Sequence, residues 1–295
     1  MKKLEEMVGK VEALRARSNA NPESKATKSK APAKPTLPVW VDAARGVPNV
    51  ALRSALFGAT KKGSRGYLER VEIHAQEGIT IRYTGARLDQ GDLSVWETVL
   101  HHSRSQALGD ECRATAYRLL YMLGKTDTGK NRDTLDRHLS RLKATALDVR
   151  VGQRAYEGSL IDEVYRDEET REYVIRLNPK LAGLFAADQY TAIAWEIRRQ
   201  LDGQPLAQWL HGYYSSHASP YPIKVDTLHR ICGSEATLMS DYAKTLRKAL
   251  DSVQLASKAH GHNFAWSIVG DLVHVSTSGS KAQRRHLAKR SKPKA

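Results

Sequence analysis

At 295 residues with 41% hydrophobic side chains, the chain can bury one large core or two smaller ones, and its net charge of +15 favours a polyanionic partner. Two cysteines, Cys112 and Cys232, exclude a disulfide framework and fit a reducing cytosol. No stretch is apolar over the length a membrane span needs, so a soluble cytoplasmic protein is expected.

The charge is unevenly placed. Residues 1–38 carry nine Lys/Arg against four Glu and residues 281–295 carry seven against none, so the termini hold 12 of the 15 net charges. Residues 39–280 are left at +3, and recognition there must come from where charges sit rather than how many there are. Residues 18–38 are Ala, Lys, Pro, Ser, Thr and Asn with almost no large apolar side chain, which predicts disorder. Before them, Leu4, Met7, Val11 and Leu14 have the spacing of a short helix. The tail with Arg284, Arg285, Lys289, Arg290, Lys292 and Lys294 is also expected to be disordered and to add salt-sensitive attraction to phosphates.

Order is expected from Trp40 through Ala51 to Phe57. Alternation then predicts strands at 70–74 and 79–83, turned at Gly78. Leu93, Trp96, Val99 and Leu100 recur at helical spacing after the Gly91-Asp92 break, and a second helix over 114–123 stops at Gly124. A third runs over 132–147, with Leu135, Leu139, Leu142 and Ala146 as its apolar stripe and Lys130, Thr134, Arg137, Ser140 and Arg141 on the other side. Strands at 148–153, 159–165 and 172–177 would supply a wing.

The second half repeats the plan. Pro205 opens a helix with Leu206, Trp209, Leu210, Tyr213 and Tyr214 on one face, broken at Ser219-Pro220-Tyr221-Pro222. A short helix over 225–232 stops at Gly233. Ser234 then caps a long helix with core stripe Leu238, Tyr242, Leu246, Ala249 and Val253, leaving Thr237, Ser240, Lys244, Arg247 and Lys248 outward. The segments 264–268 and 272–275, turned at Gly270-Asp271, form the hairpin.

A helix pinned by one apolar stripe can lie in the major groove and present its far face to base edges and phosphates. The predicted fold is therefore α+β, two tandem winged helices at 39–188 and 189–280 between disordered basic tails at 1–38 and 281–295. DNA contacts are expected from Lys130, Thr134, Arg137, Ser140, Arg141, Ser234, Thr237, Ser240, Lys244, Arg247 and Lys248. Arg137, Arg141 and Arg247 are the expected base readers, because a guanidinium pairs bidentately with guanine.

Catalytic readings fare worse. Gly124-Lys125-Thr126-Asp127-Thr128-Gly129-Lys130-Asn131 nearly matches a phosphate-binding loop, but Asn131 replaces the magnesium-binding hydroxyl and the preceding residues look helical rather than extended. Tyr117 and Tyr121 with His260-Gly261-His262 suggest the nucleophile and metal ligands of a DNA-nicking enzyme. Their order and separation are wrong for one site, so the tyrosines are read as core aromatics and the histidines as loop residues. His101, His102, Cys112 and Cys232 lack zinc-ligand spacing. No catalytic residue, metal or cofactor is expected.

Several segments carry a family likeness: Arg53-Ser54-Ala55-Leu56-Phe57, Ile81-Arg82-Tyr83-Thr84-Gly85, Leu139-Ser140-Arg141-Leu142-Lys143-Ala144-Thr145-Ala146, and Leu184-Phe185-Ala186 with Asp188 and Tyr190-Thr191. The likeness is densest at Tyr214-Ser215-Ser216-His217, Pro220-Tyr221-Pro222, Cys232-Gly233-Ser234 and Asp271-Leu272-Val273-His274. Through these residues the chain resembles the TrfA-type plasmid replication initiator family. The resemblance implies a bacterial cytoplasmic initiator that binds iteron repeats of double-stranded DNA at a plasmid origin, opens adjacent AT-rich duplex and controls copy number. It further implies DnaA and the replicative helicase as host partners and an inactive dimer with a second copy of itself. The family's sliding-clamp peptide is replaced by Lys34-Pro35-Thr36-Leu37-Pro38-Val39-Trp40, which puts a clamp contact in doubt. A transcriptional regulator using the same contacts, repressing its own gene, is the alternative reading.

Overall fold

Each predicted helix in the first half is set by a local signal, and the caps place its ends. In the computed structural model, which describes residues 34–60, 63, 65–186, 188–277, 279 and 283, helix α2 (Gln90–Ser103) starts in a capping box. Asp89 accepts from the amides of Gly91 and Asp92, and the Asp92 carboxylate accepts from the amide of Asp89, so Gly91 and Asp92 open the helix instead of breaking it. Short helix α1 (Asn49–Leu52), wholly buried, precedes it. Thr115 caps α3 (Ala116–Leu123), and Gly124 closes it with a left-handed φ of 70°. Thr128 caps α4 (Gly129–Lys143), which buries Leu135, Leu139 and Leu142. It ends at Lys143 and not at Leu147: Ala146 is exposed and begins a strand.

Strand order shows the repetition. The first half runs α2, β6 (Glu111–Thr115), α3, α4 and the hairpin β9 (Glu163–Arg166) with β10 (Glu172–Arg176), in an antiparallel sheet of order β6-β10-β9. The second runs α6 (Pro205–Ser215), β12 (Ile223–Lys224), α7 (Val225–Ile231), α8 (Met239–Ala259) and the hairpin β13 (Phe264–Val269) with β14 (Leu272–Thr277). Its sheet order, β12-β14-β13, is the same arrangement. In both, the strand between the first two helices pairs with the last strand of the hairpin.

Three features depart from the sequence reading. The strand expected over 148–153 is β7 (Ala146–Val151), which pairs with β8 (Arg154–Gly158) away from this hairpin, joining β3 (Tyr67–Glu72) and β4 (Ile79–Ala86) in the sheet β3-β4-β7-β8. The strand expected over 159–165 is interrupted because Leu160 and Ile161 turn into the core, where the Leu160 carbonyl accepts from Trp96 Nε1 at 3.0 Å. Finally, β1 (Ala44–Pro48) pairs antiparallel with β11 (Tyr190–Ala194), while the short β2 (Phe57–Gly58) and β5 (Leu88–Asp89) pair in parallel.

Two hydrophobic clusters form, one from Leu37 to Ile193 around Trp96, Leu100, Leu119 and Leu139, the other from Ile197 to Val273 around Trp209, Leu228, Leu246 and Val253. Helix α5 (Trp195–Gln200) contributes Ile197 to the second cluster. Residues 34–38, expected to be disordered, are instead packed on the first unit, because Leu37 reaches its core, Thr36 forms a bridge with Ala107 and the Pro35 carbonyl accepts from the Leu108 amide at 2.8 Å. The rest of the segments expected to be disordered, and the helical spacing of Leu4, Met7, Val11 and Leu14, lie outside the described residues for 1–33 and, apart from Gln283, for 281–295. Among the described residues no helix is long and apolar enough to cross a membrane.

Candidate nucleic-acid interface

On α4 the core stripe faces α2, and the opposite face carries the expected cationic residues. Lys130, Arg137 and Ser140 are exposed and Thr134 is partly exposed. Arg137 bonds back to its own helix, Nε to the Asp133 carbonyl at 3.2 Å and the guanidinium to Thr134 Oγ1 at 3.0 Å, so its outer edge is open to solvent.

Arg141 is a correction. Its side chain is mostly buried, with Nε 3.0 Å from Oδ1 of the fully buried Asp92, so it is turned inward and does not project from the outer face with Arg137. The same oxygen receives His138 Nδ1 at 2.6 Å, Arg65 holds Asp92 Oδ2 at 2.6 Å, and Arg65 also pairs with Asp89. Burial by itself would raise the Asp92 carboxyl, but the His138 hydrogen bond and the charges of His138, Arg141 and Arg65 hold it down at about 2. Asp89, Asp92 and His138 lie close enough to share a cation. Two guanidinium groups already bind these carboxylates, so the cluster is read as an ion-pair network anchoring α4 to the first turn of α2.

In the second unit the long helix starts later than expected. Helix α8 opens at Met239 with no side-chain cap, and Ser234, expected as that cap, accepts from the Ala236 amide at 3.3 Å in the preceding turn. Thr237 is exposed in that turn, and Leu238, expected in the core, is 60% exposed. Arg87, from outside the helix, holds the Gly233 carbonyl and the Glu235 carboxylate, each at 2.7 Å, and so ties down the turn that precedes it. Ser240, Lys244, Arg247 and Lys248 are exposed on α8 opposite the buried Tyr242, Leu246, Ala249, Leu250 and Val253. Lys244 lies 3.8 Å from Asp241, and Arg247 donates to the Ala243 carbonyl at 3.3 Å.

The near phosphate-binding loop is the turn between α3 and α4. It is closed by Arg132 on Asp127 at 2.6 Å and by Asn131 Nδ2 on the Thr126 carbonyl at 2.8 Å, with a helix where a nucleotide loop has a strand. Tyr117 and Tyr121 are not core aromatics. They are 60% and 65% exposed and stack on each other at 6.3 Å, because α3 buries its other face through Ala116, Leu119 and Leu120. His260 and His262 lie in the turn after α8.

The family model described as "TrfA protein" matches residues 27–277. Plasmid replication initiator protein TrfA of Escherichia coli is 32% identical over 244 residues, covering 80% of this chain and 62% of that protein. The chain belongs to the TrfA family. It spans less than two thirds of that relative's length. Among solved structures, domains 2 and 3 of RctB match with a TM-score of 0.52 at 10% identity, over 79% of this chain and 99% of that one, which shows a shared mixed α/β fold. The TrfA match runs through both repeated units and ends at the last residue of β14, so the doubled plan lies inside the span the family shares.

Proposed function

We propose that this TrfA-family chain initiates plasmid replication by binding iteron repeats at the origin, with α4 and α8 as the reading helices of two winged helices. The observation that carries the reading is the repeated unit itself: two helix–strand–helix–helix–hairpin units of identical strand order, each with exposed cationic side chains opposite a buried stripe on its third helix. The name of the Escherichia coli relative supports the choice of plasmid initiation over other uses of such units.

On this reading, bound iterons lead to opening of adjacent AT-rich duplex and loading of the helicase with DnaA, and a dimer of the chain is the stored inactive form. DNA contacts come from Lys130, Thr134, Arg137 and Ser140 in one unit and from Ser234, Thr237, Ser240, Lys244, Arg247 and Lys248 in the other. Recognition proceeds without a cofactor and without catalysis.

The test is a footprint on the origin combined with probing for unpaired bases. Protection of iterons together with strand opening is the expected result. Binding confined to a promoter, with no plasmid maintenance in cells, would instead make the chain a transcriptional regulator.

A further inference from the structure

The two units meet along a seam centred on Arg198 of α5. Its side chain is 1% exposed and that of Glu97, on α2, is 0% exposed, with Arg198 Nε 2.9 Å from Glu97 Oε2. The same guanidinium donates to Gln90 Oε1 at 3.1 Å, the Gln90 carbonyl at 3.0 Å and Ser94 Oγ at 3.2 Å, all on α2, and to the Gln208 carbonyl at 3.4 Å on α6. Further hydrogen bonds flank it. Trp209 Nε1 donates to the Ser54 carbonyl at 3.0 Å, Arg53 Nε to Ser216 Oγ at 2.8 Å and the Ala59 amide to the Cys232 carbonyl at 2.7 Å. Arg87, from the first unit, grips the turn that leads into α8.

The other side of α2 holds the first reading helix. Asp92, in its first turn, binds His138 and Arg141 of α4. One helix therefore anchors α4 through Asp92 and the second unit through Gln90, Ser94 and Glu97.

An apolar pair would hold such a seam as well as a buried ion pair, because taking both charges out of water offsets much of their attraction. A guanidinium with several directed partners adds something else, which is one relative orientation. We propose that α2 is a ruler: Arg198 and Asp92 are positioning residues that hold α4 and α8 at one separation and one phase, so the chain accepts a repeat only when its two half-sites have one spacing. This rests on the reading of α4 and α8 as DNA-reading helices. Each base pair inserted between half-sites moves the second by about 3.4 Å and turns it by about 35°. A fixed pair of helices cannot follow that change, whereas units joined by a loose linker can.

The experiment measures affinity of the full chain for its repeat and for duplexes with one or two base pairs inserted or removed between the half-sites. The wild type should lose about tenfold or more for each inserted base pair, comparable to a mismatched pair. Glu97→Gln with Arg198→Met, which removes the charges together and keeps the volume, should bind the native spacing a few-fold more weakly but flatten the spacing profile to roughly threefold or less. Arg247→Ala should lower all spacings together, which distinguishes loss of a DNA-reading side chain from loss of the ruler. If the buried double variant does not fold, as judged by thermal unfolding, Arg53→Ala with Arg87→Ala at the edge of the seam carries the same readout. A wild type indifferent to insertions, or a folded seam variant with the full spacing profile, overturns the proposal. A chain that binds no repeat at any spacing overturns the reading of α4 and α8 themselves, and the ruler with it.

Discussion

Arg137 and Arg141 lie one helical turn apart on α4 in different surroundings. Arg137 keeps an open guanidinium edge in solvent, while Arg141 reaches the buried Asp92 beside His138. If each guanidinium pairs with a base edge, as proposed, replacing Arg137 or Arg247 with Ala should cost about 1–3 kcal/mol at particular base pairs and leave the others alone. Affinity across a panel of single-base variants checks this, and a uniform loss would make them phosphate binders. Asp92 makes a different prediction, about stability and pH. Its folded carboxyl sits at about 2, below its ordinary 3.8, so the stabilisation is fully present above 3.8 and is lost as pH falls through about 2. The shift corresponds to roughly 2 kcal/mol. Asp92→Asn should destabilise the fold by about 3 kcal/mol at neutral pH, since Arg65, His138 and Arg141 lose their buried partner. Urea unfolding between about pH 5 and 2 should fall more steeply for the wild type than for Asp92→Asn; parallel curves would show that this carboxylate does not carry the acid dependence.

At the scale of elements, what the sequence makes legible is what local periodicity controls. Leu135, Leu139 and Leu142, and likewise Tyr242, Leu246 and Val253, recur at helical spacing, and both stripes are buried as that spacing predicts. Misplaced features depend on distant partners. Arg141 looks like part of a solvated face because Asp92 is 49 residues away, and Arg198 in Trp195-Glu196-Ile197-Arg198-Arg199 gives no sign that Gln90, 108 residues back, will bury it. The hairpin β7–β8 joins a different sheet from the expected wing for the same reason, its pairing partner β4 lying far earlier in the chain. The turn before α8 also has a distant partner, since Arg87 and not a cap residue ties it down around Gly233. There Gly233 has φ +66°, and a Cβ would lie 3.0 Å from Ala55 Cβ and 3.2 Å from Arg87 Nη2. Gly233→Ala should therefore cost about 1–2 kcal/mol from backbone conformation alone, with crowding added. It should also weaken DNA binding through α8 while leaving base preferences at α4 unchanged. Thermal unfolding with half-site competition measures both, and an Ala variant of wild-type stability would show that this turn tolerates a side chain.

For the whole molecule, the split between placed and diffuse charge separates specificity from adhesion. Residues 39–280 hold +3 of the +15 net charge, and the exposed cations of α4 and α8 are few. Helices with so few cations, acting as proposed, would select a sequence but contribute only a modest counterion-release effect. The seven Lys/Arg of residues 281–295, with no acidic residue among them, belong to the other regime, in which each neutralised phosphate adds about 0.9 to the slope of log affinity against log salt. Removing residues 281–295 should thus lower that slope by up to about 6 and weaken binding to every duplex at low salt. The ratio of specific to nonspecific affinity should stay nearly constant, because the proposed base readers on α4 and α8 are still in place. Titrations from about 50 to 200 mM salt span the range in which such a change amounts to orders of magnitude. An unchanged slope would mean that the tail stays off the DNA and that the reading helices carry the electrostatic attraction themselves. Their cationic side chains would then have to act on phosphates, and Arg137→Ala and Arg247→Ala would each take about one phosphate's share from the slope instead of altering base preference.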